Sequence, residues 1–435
     1  MLQPGARDGY QVAWALQEAG LLDVLVTNGY SKRRPGILQR CAEIMPGVRA
    51  MAAQRRCPML DDDLVVSRWD VELLSHIARK CGGRSGGVLS DGVENWLGRI
   101  AVSRARQRHA DAILSYSYIA YPVFLKLQGS GILRILMQCH PHPRSVQRIL
   151  MEEEKRHPEL GPLLGMEREM SSGGRYVDQL SREPELADVI IVASTFTKTT
   201  LVENGICDSK ITVVPYGTDS PRLHLDDGEI ARARRERDGG SFRILFVGQF
   251  TQRKGLSYLI GACRSLDMSS TTLTLVGRGL DGLDVLFPNE TPGWVRIRKC
   301  ISDRELAIEY ASADLLVLPS LAEGFGHVIL EAMAYGLPVI ATPNSGAPDV
   351  IRHGEGGYIV PCADARGLAA AIEELRAKPL LRSAMGLNSA NAARRFTWER
   401  FRVKVADCVS AAIEGCFQPE SGDDDIEAVT LKRHG

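Results

Sequence analysis

Two glutamates, Glu323 and Glu331, flank a glycine-rich turn in the stretch Leu315–Ala341, LLVLPSLAEGFGHVILEAMAYGLPVIA. The apolar run ending at Pro319 reads as a buried strand. The spacing after the turn predicts a helix over His327–Tyr335, stopped by Gly336 and Pro338. Glycines at 324 and 326 let backbone approach a ligand closely, and the unpaired N–H groups of a helix N-terminus attract phosphate. Glu323 in the loop and Glu331 on the helix can each accept hydrogen bonds from sugar hydroxyls. Taken alone, Glu331 is equally an ordinary helix residue and Glu323 a charge matching the helix dipole.

Two other segments carry polar groups at strand ends. Arg253-Lys254-Gly255 follows the apolar run Phe242–Val247. As an isolated pair these cations read as solvated loop charges; within a strand–loop–helix they are fixed cations facing a ligand. Gln138-Cys139-His140-Pro141-His142-Pro143 follows ILRILM. A polar tip after a buried strand is where α/β folds place ligand contacts, which singles out His140 ahead of His142. Gly277-Arg278-Gly279-Leu280-Asp281-Gly282 fits the dinucleotide pattern G-x-G-x-x-G. It follows the second strand of its half, however, and Pro288 and Pro292 interrupt what comes after. Asp61–Asp63 and Asp423–Asp425 read as solvated acidic runs. Ten cysteines lie singly, with no C-x-x-C pair or zinc spacing, which points to free thiols rather than a metal or disulfide framework.

These residues need a scaffold. A chain of 435 residues is too long for one ordinary core, so two domains are expected. Short β-branched runs alternate with helical patterns, which argues for parallel sheets covered by helices. Candidate strands in the first half are Asp23–Thr27, Ala112–Ser115, Leu133–Gln138, Asp188–Val192 and Ile211–Val214. In the second half they are Phe242–Val247, Thr272–Val276, Val295–Arg298, Asp314–Leu318, Pro338–Ala341 and Tyr358–Val360. The expected division is a first domain over 1–224, a polar linker over 225–240 and a second domain over 241–397. A closing helix over 398–417, with Phe401, Val403, Val405, Val409 and Ile413 on its apolar side, and a polar tail over 418–435 follow. Only Met1, Leu2 and Gln3 precede the loop Pro4–Gly9 and the helix predicted over Gln11–Gly20. Either the first strand is very short, or the start codon was assigned too late and a central strand is missing.

Glu323-x7-Glu331 within EGFGHVILEAMAYGLPVIA closely resembles the donor-binding signature of the family 4 retaining glycosyltransferases (glycosyl transferases group 1). ADVIIVASTFTKTTLVENGICDSKITVVPYGTD (Ala187–Asp219) is similar to that family's last first-domain strand–helix–strand, ending in its P-x-G-x-D turn. ILFVGQFTQRKGLSYLIGA (Ile244–Ala262) is similar to its first second-domain strand and phosphate-binding loop. The resemblance implies the GT-B fold: two facing doubly wound (Rossmann-like) parallel-sheet domains with a nucleotide-sugar cleft between them.

It implies roles as well. Glu331 holds the ribose, Glu323 contacts the donor sugar, and Gly324, Phe325 and Gly326 line sugar and pyrophosphate. Lys254 neutralises the leaving diphosphate, and His140 faces the donor sugar. Gly277 lies beside the base. Gly5, in Pro4-Gly5-Ala6-Arg7, belongs to a glycine loop near phosphates and acceptor, although the family's usual double glycine is absent. The family commonly has Arg after the strand-ending glycine, where this chain has Gln249, so Arg253 is the substitute cation.

The implied activity is retaining transfer from a UDP- or GDP-sugar to a glycan or lipid-linked hydroxyl, with no cofactor and no catalytic metal. A phosphorylase-like or epimerase-like GT-B enzyme and a catalytically inactive sugar-nucleotide-binding protein are the alternatives. Basic and acidic residues balance at 53 each, which disfavours a nucleic-acid partner. The runs Lys32–Arg56 and Arg99–Arg108 are locally basic and read as solvated faces or as a patch for anionic lipid. No signal peptide and no apolar run near twenty residues is present, so the expected location is cytoplasmic, with peripheral contact at the inner face of the membrane.

Overall fold

The computed structural model describes residues 1–415 except 45, 82, 172–174, 220–224, 239 and 280–282. The predicted polar tail, Asp423–Asp425 and the end of the predicted closing helix lie outside the described residues.

Two parallel sheets organise the chain. The first contains β1 (Leu2–Gln3), β2 (Leu25–Thr27), β3 (Val65–Ser67), β4 (Ala112–Tyr116), β5 (Leu133–Gln138), β6 (Val189–Val192) and β7 (Ile211–Val213), in the order β3-β2-β1-β4-β5-β6-β7. The second contains β8 (Phe242–Gln249), β9 (Thr271–Arg278), β10 (Val295–Lys299), β11 (Leu315–Leu318), β12 (Val339–Ala341) and β13 (Gly357–Ile359), in the order β10-β9-β8-β11-β12-β13. Strand order reverses between β1 and β4 in one sheet and between β8 and β11 in the other. Ligands of open α/β sheets bind beyond the strand C-termini at such reversals. The loops after β1, β4 and β5 and those after β8, β9 and β11 therefore lie at the positions where such a fold holds a ligand.

β1 is two residues long yet central, pairing Leu2 with Val26 on one side and Ser115 on the other. Leu2 is wholly buried. β3 was not expected: three residues at a sheet edge carry too little pattern to stand out. Most other strands differ from expectation only at their ends.

Among the helices that cover the sheets are α1 (Gln11–Glu18), α2 (Ile37–Glu43), α3 (Pro143–Arg156), α4 (Thr195–Glu203), α5 (Asp227–Asp238), α6 (Leu256–Arg264), α7 (Asp303–Ser312), α8 (His327–Ala334) and α9 (Trp398–Ile413). α5 occupies the stretch read as a polar linker. Ala233 and the preceding Leu225 are buried, and Glu229 pairs with Arg304 of α7. One or two apolar residues suffice for a helix that rests on a single neighbour. α9 packs against α1: the Arg402 guanidinium lies 3.6 Å from the centre of the Trp14 ring, and its Nε is 3.0 Å from Glu18. Its buried stripe is Phe401, Val405, Val409 and Ala412, whereas Val403 and Ile413, assigned to the apolar side from sequence, are exposed. Gly217 of the P-x-G-x-D turn is crossed by the start of α9: a Cβ there would stand 2.3 Å from the Trp398 nitrogen.

Candidate functional site

The loops after β8 and β11 interlock. Gly255 has φ +67°, and a Cβ on it would meet the Pro319 carbonyl oxygen at 1.9 Å. The Leu321 amide donates to the Arg253 carbonyl at 2.8 Å, and Arg253 Nη1 donates to the Ala322 carbonyl at 3.0 Å. This contact brings Lys254 and Glu323 into a direct ion pair, with Arg253 Nη1 3.9 Å from the same carboxylate. Burial alone would raise the Glu323 carboxyl, but Lys254 and then Arg253 outweigh it and hold it below the usual carboxylate range. Glu323 is thus a buried carboxylate ionised at neutral pH. Its neighbour Arg253 also reaches Glu167 of the first domain, Nε to Oε2 at 3.1 Å.

Gly324 is the closest approach of the β11 loop to the β5 loop of the other half. A Cβ there would stand 2.2 Å from the Cys139 carbonyl oxygen, so any larger residue forces the β5 and β11 loops apart. Thr197 Oγ1 at the start of α4 donates to the Gly324 carbonyl at 3.0 Å. Phe325 is buried edge-on against Tyr216, and His327 stacks on the same ring with centroids 4.2 Å apart. Gly326 takes φ +88° to turn the chain into α8.

His140 lies directly beneath this contact. Its Nδ1 is 2.9 Å from the Pro141 carbonyl, which can only accept, so Nδ1 carries the proton. Gln138 Nε2 accordingly donates to the His140 carbonyl at 2.9 Å rather than to the ring. Burial, reinforced by Arg7, pushes His140 down to about 4. The ring is neutral at pH 7, and its Nε2 is a buried acceptor with no partner among the described residues. His142, the less favoured of the pair, caps α3 by accepting from the Arg144 amide and belongs to the scaffold.

Glu331 stands apart from Glu323. Its Oε2 accepts from the Tyr310 hydroxyl at 2.6 Å. It lines a cavity of about 260 Å³ between α7 and α8, roofed by Gly217–Asp219 and Trp398. His327 shares that cavity; Lys254 and Glu323 do not. Gly277 has a packing reason: its Cβ would meet the Gly248 carbonyl oxygen at 1.7 Å, where β8 and β9 run together. Gly5 takes φ +67° and donates to Asn28 Oδ1 at 2.8 Å. Its neighbours are Asn28 and the Arg55 guanidinium, not Lys254. Among the described residues no cluster of three or more His, Cys, Asp or Glu is arranged to hold a metal ion.

The basic run over 32–56 divides. Arg55 is ion-paired with the buried Glu72 at 2.6 Å, inside the first domain. Arg33, Arg34 and Arg40 are exposed beside Ile37, Leu38 and Ile44 at α2. In the second basic run, Arg108 pairs with Asp23 and Arg106 caps the Lys126 carbonyl. No described helix is long and apolar enough to cross a membrane.

Several site neighbours escaped sequence reasoning. Glu153 of α3 accepts from Gln252 at 2.7 Å and Tyr258 at 2.8 Å, tying the first domain to the cation loop. Glu167, Arg7 and Tyr118 face the same region. Arg7 lies in the glycine loop Pro4-Gly5-Ala6-Arg7 but is given no role there by the resemblance, and Glu153, Glu167 and Tyr118 sit in no recognisable motif; the one local sign is backbone strain, with Asp8 at φ +45° and Tyr118 at φ +82°.

Residues 227–392 match the family model of glycosyl transferases group 1. The capsular polysaccharide biosynthesis glycosyltransferase CapM of Staphylococcus aureus is 29% identical over 46% of this chain and 55% of its own length. The D-inositol 3-phosphate glycosyltransferase of Paenarthrobacter aurescens is 26% identical over 96% of this chain and 97% of its own. The chain spans about half the length of several other curated relatives, for example 49% of a 41.2 kDa protein from the Klebsiella pneumoniae cps region, at 33% identity over 41% of this chain. Among solved structures, sucrose-phosphate synthase of Thermosynechococcus elongatus superposes with a TM-score of 0.60 at 21% identity, covering 93% of this chain and 92% of that one. Anabaena HepE in complex with UDP and glucose gives 0.61 at 17%, covering 94% and 98%. The fold is GT-B.

Proposed function

We propose that this chain is a retaining glycosyltransferase moving a sugar from a UDP- or GDP-sugar to a hydroxyl of a glycan or lipid-linked acceptor, in the cytoplasm and without a catalytic metal. The observation that carries the reading is the convergence of Lys254, Arg253 and Glu323 on one side of the Gly324–Cys139 contact with His140 on the other.

Lys254 and Arg253 exchange their carboxylate partners for the diphosphate and stabilise the charge that grows as it departs. Glu323, released from Lys254, accepts from hydroxyls of the donor sugar. His140 Nε2 accepts from another hydroxyl of that sugar and fixes its orientation. A leaving phosphate oxygen takes the acceptor's proton while the new bond forms on the face the phosphate leaves, so configuration is retained. Glu331, already hydrogen-bonded to Tyr310, offers its carboxylate to the ribose in the cavity between α7 and α8. Contact between the walls excludes water from the reacting carbon.

Nucleotide release from a panel of UDP- and GDP-sugars tests this, comparing wild type with Glu323→Ala. Slow hydrolysis of one donor, abolished in the variant, supports the enzyme and names the donor. Binding without any turnover, with every acceptor tried, favours the inactive sugar-nucleotide-binding protein instead, a reading to which the neutral Gln249 contributes.

Peripheral membrane contact is the second part of the proposal. Ile37 and Ile44 are 81% and 80% exposed beside Arg33, Arg34 and Arg40, an apolar and basic combination suited to an anionic bilayer surface. Sedimentation with phosphatidylglycerol vesicles should fall for the double variant Ile37→Asp/Ile44→Asp; unchanged sedimentation removes this part.

A further inference from the structure

The first-domain wall holds one cation that the scheme above leaves idle. Arg7 follows β1 in the loop Pro4–Gly9. Its guanidinium carbon lies 5.0 Å from the centre of the Tyr118 ring, and that ring is 4.5 Å from His140. The three side chains are contiguous, and His140 lies under the loop that bears Glu323. Among the described residues the Arg7 guanidinium has no ion pair and no hydrogen bond. The adjacent acid does not supply one: Asp8 is turned to the Tyr116 hydroxyl and the Gln11 amide.

A partly desolvated guanidinium held only by a ring face is short of an anion. Its planar fork matches a carboxylate or a phosphate. Beside it, His140 Nε2 is a buried acceptor with nothing to accept. One unpartnered donor fork and one unpartnered acceptor therefore lie on the same aromatic ring, and a ligand satisfying both carries an anionic group and a hydroxyl. Asp8 and Tyr118, held at φ +45° and φ +82°, fix the two ends of this arrangement. The nucleoside diphosphate is served from the opposite wall by Lys254 and Arg253.

We infer that Arg7, Tyr118 and His140 form a subsite for a hydroxyl-bearing organic anion, so that one substrate carries a negative charge beyond the nucleoside diphosphate. The group is the carboxylate of an acidic sugar or the phosphate of a sugar phosphate. This rests on the cleft being a nucleotide-sugar site, as proposed above.

Calorimetry on the full chain tests it. The probes are UDP and GDP alone, UDP-glucose against UDP-glucuronate, GDP-mannose against GDP-mannuronate, and glucose 1-phosphate against methyl glucoside with and without nucleotide. The expected result is that an acidic probe binds wild type at least about tenfold more tightly than its neutral counterpart, the scale of a lost charge-assisted pair. Arg7→Gln should erase that margin and leave nucleotide alone within about twofold. A margin on the nucleotide sugars places the anion on the donor; a margin on glucose 1-phosphate places it on the acceptor. Arg7→Lys, keeping the charge without the fork, should retain part of the margin, and it carries the test if Arg7→Gln does not fold. Nucleotide binding with equal affinity for acidic and neutral probes overturns the subsite and spares the cleft. So does a loss for UDP alone as large as for the acidic probe, since Arg7 then serves the diphosphate. Failure of every nucleotide to bind strikes the functional reading, and the subsite then stands or falls on glucose 1-phosphate alone.

Discussion

The two walls of the cleft solve the problem of burying polar groups in opposite ways. The second-domain wall keeps its groups charged and mutually neutralised: Lys254 and Arg253 against Glu323, with Glu167 completing the set from across the cleft. Apart from Glu153 and Glu167, which are bonded to the cation loop, the first-domain wall keeps its acids, histidine and tyrosines neutral. Burial pushes His140 down to about 4 and Asp8 up to about 7, and it raises the hydroxyls of Tyr116, Tyr118 and Tyr216 well beyond ionisation. A wall of paired charges can trade partners with an incoming diphosphate at little desolvation cost. A wall of neutral, strained and aromatic groups cannot compensate charge but can hold a sugar in one orientation. Arg7 differs from both sets: it is a cation of the first-domain wall with no ion pair among the described residues.

The charged wall offers the largest effect. Lys254→Ala should lower kcat by roughly 10²–10³, the range for removing one preorganised group facing developing negative charge. It should also move Glu323. With its main cation gone the carboxyl rises, so the acid limb of the kcat/KM profile shifts to higher pH. A profile that drops in height without shifting means that Lys254 does not hold Glu323 ionised.

Contact between the walls is the next thing to break. In Gly324→Ala the added methyl meets the Cys139 carbonyl, so the loops must part by about 1 Å. Displacements of that size cost up to about 100-fold when reacting groups are prepositioned. The thermal midpoint should change less than the activity, because each domain keeps its own sheet. Undiminished kcat/KM in a folded Gly324→Ala chain means that the contact is incidental.

On the neutral wall, His140→Phe should lower kcat/KM about tenfold, the loss of one hydrogen bond to a sugar hydroxyl in a closed site. The wild-type profile should carry no limb from His140 between pH 5 and 8, because the ring is already neutral there. A limb near the ordinary histidine value that disappears in His140→Phe contradicts the neutral assignment.

The contrast between walls also governs how much of the molecule could be read in the sequence. Lys254, Arg253, Glu323 and Gly324–Gly326 occupy two short segments, each a strand followed by a turn and a helix, so local spacing reveals them. Arg7, Tyr118, His140 and Glu167 come from four separate segments, and only His140 ends a strand long enough to recognise. β1 and β3 have two and three residues and leave almost no periodic trace, although β1 is central. Glu331 illustrates another limit. Its spacing from Glu323 is visible, but only the tertiary fold brings Tyr310 of α7 against it and gives it a cavity of its own. Arg55 looked like its basic neighbours; Glu72, seventeen residues on, makes it an interior residue.

The smallest effect is in stability, and it tests whether the first wall is neutral at all. Burial raises the Asp8 carboxyl to about 7, against a partial lowering by the Tyr116 hydroxyl, from an ordinary value of 3.8. Between those values the unfolded chain has lost this proton while the folded chain keeps it. Folding therefore loses stability through this group as pH rises from about 4 to about 7, the opposite of the usual carboxylate. Asparagine has no such proton to lose. Asp8→Asn should melt close to wild type near pH 4 and gain on it steadily up to about pH 7. The buried histidines His140, His142 and His327 give a slope of the other sign below pH 6.5, but they are present in both proteins and cancel in the difference. Thermal midpoints of the two chains measured in parallel from pH 4 to pH 8 supply that difference. A flat line across the range means that Asp8 is ionised in the folded chain, and the Arg7 guanidinium then already has its counter-charge beside it.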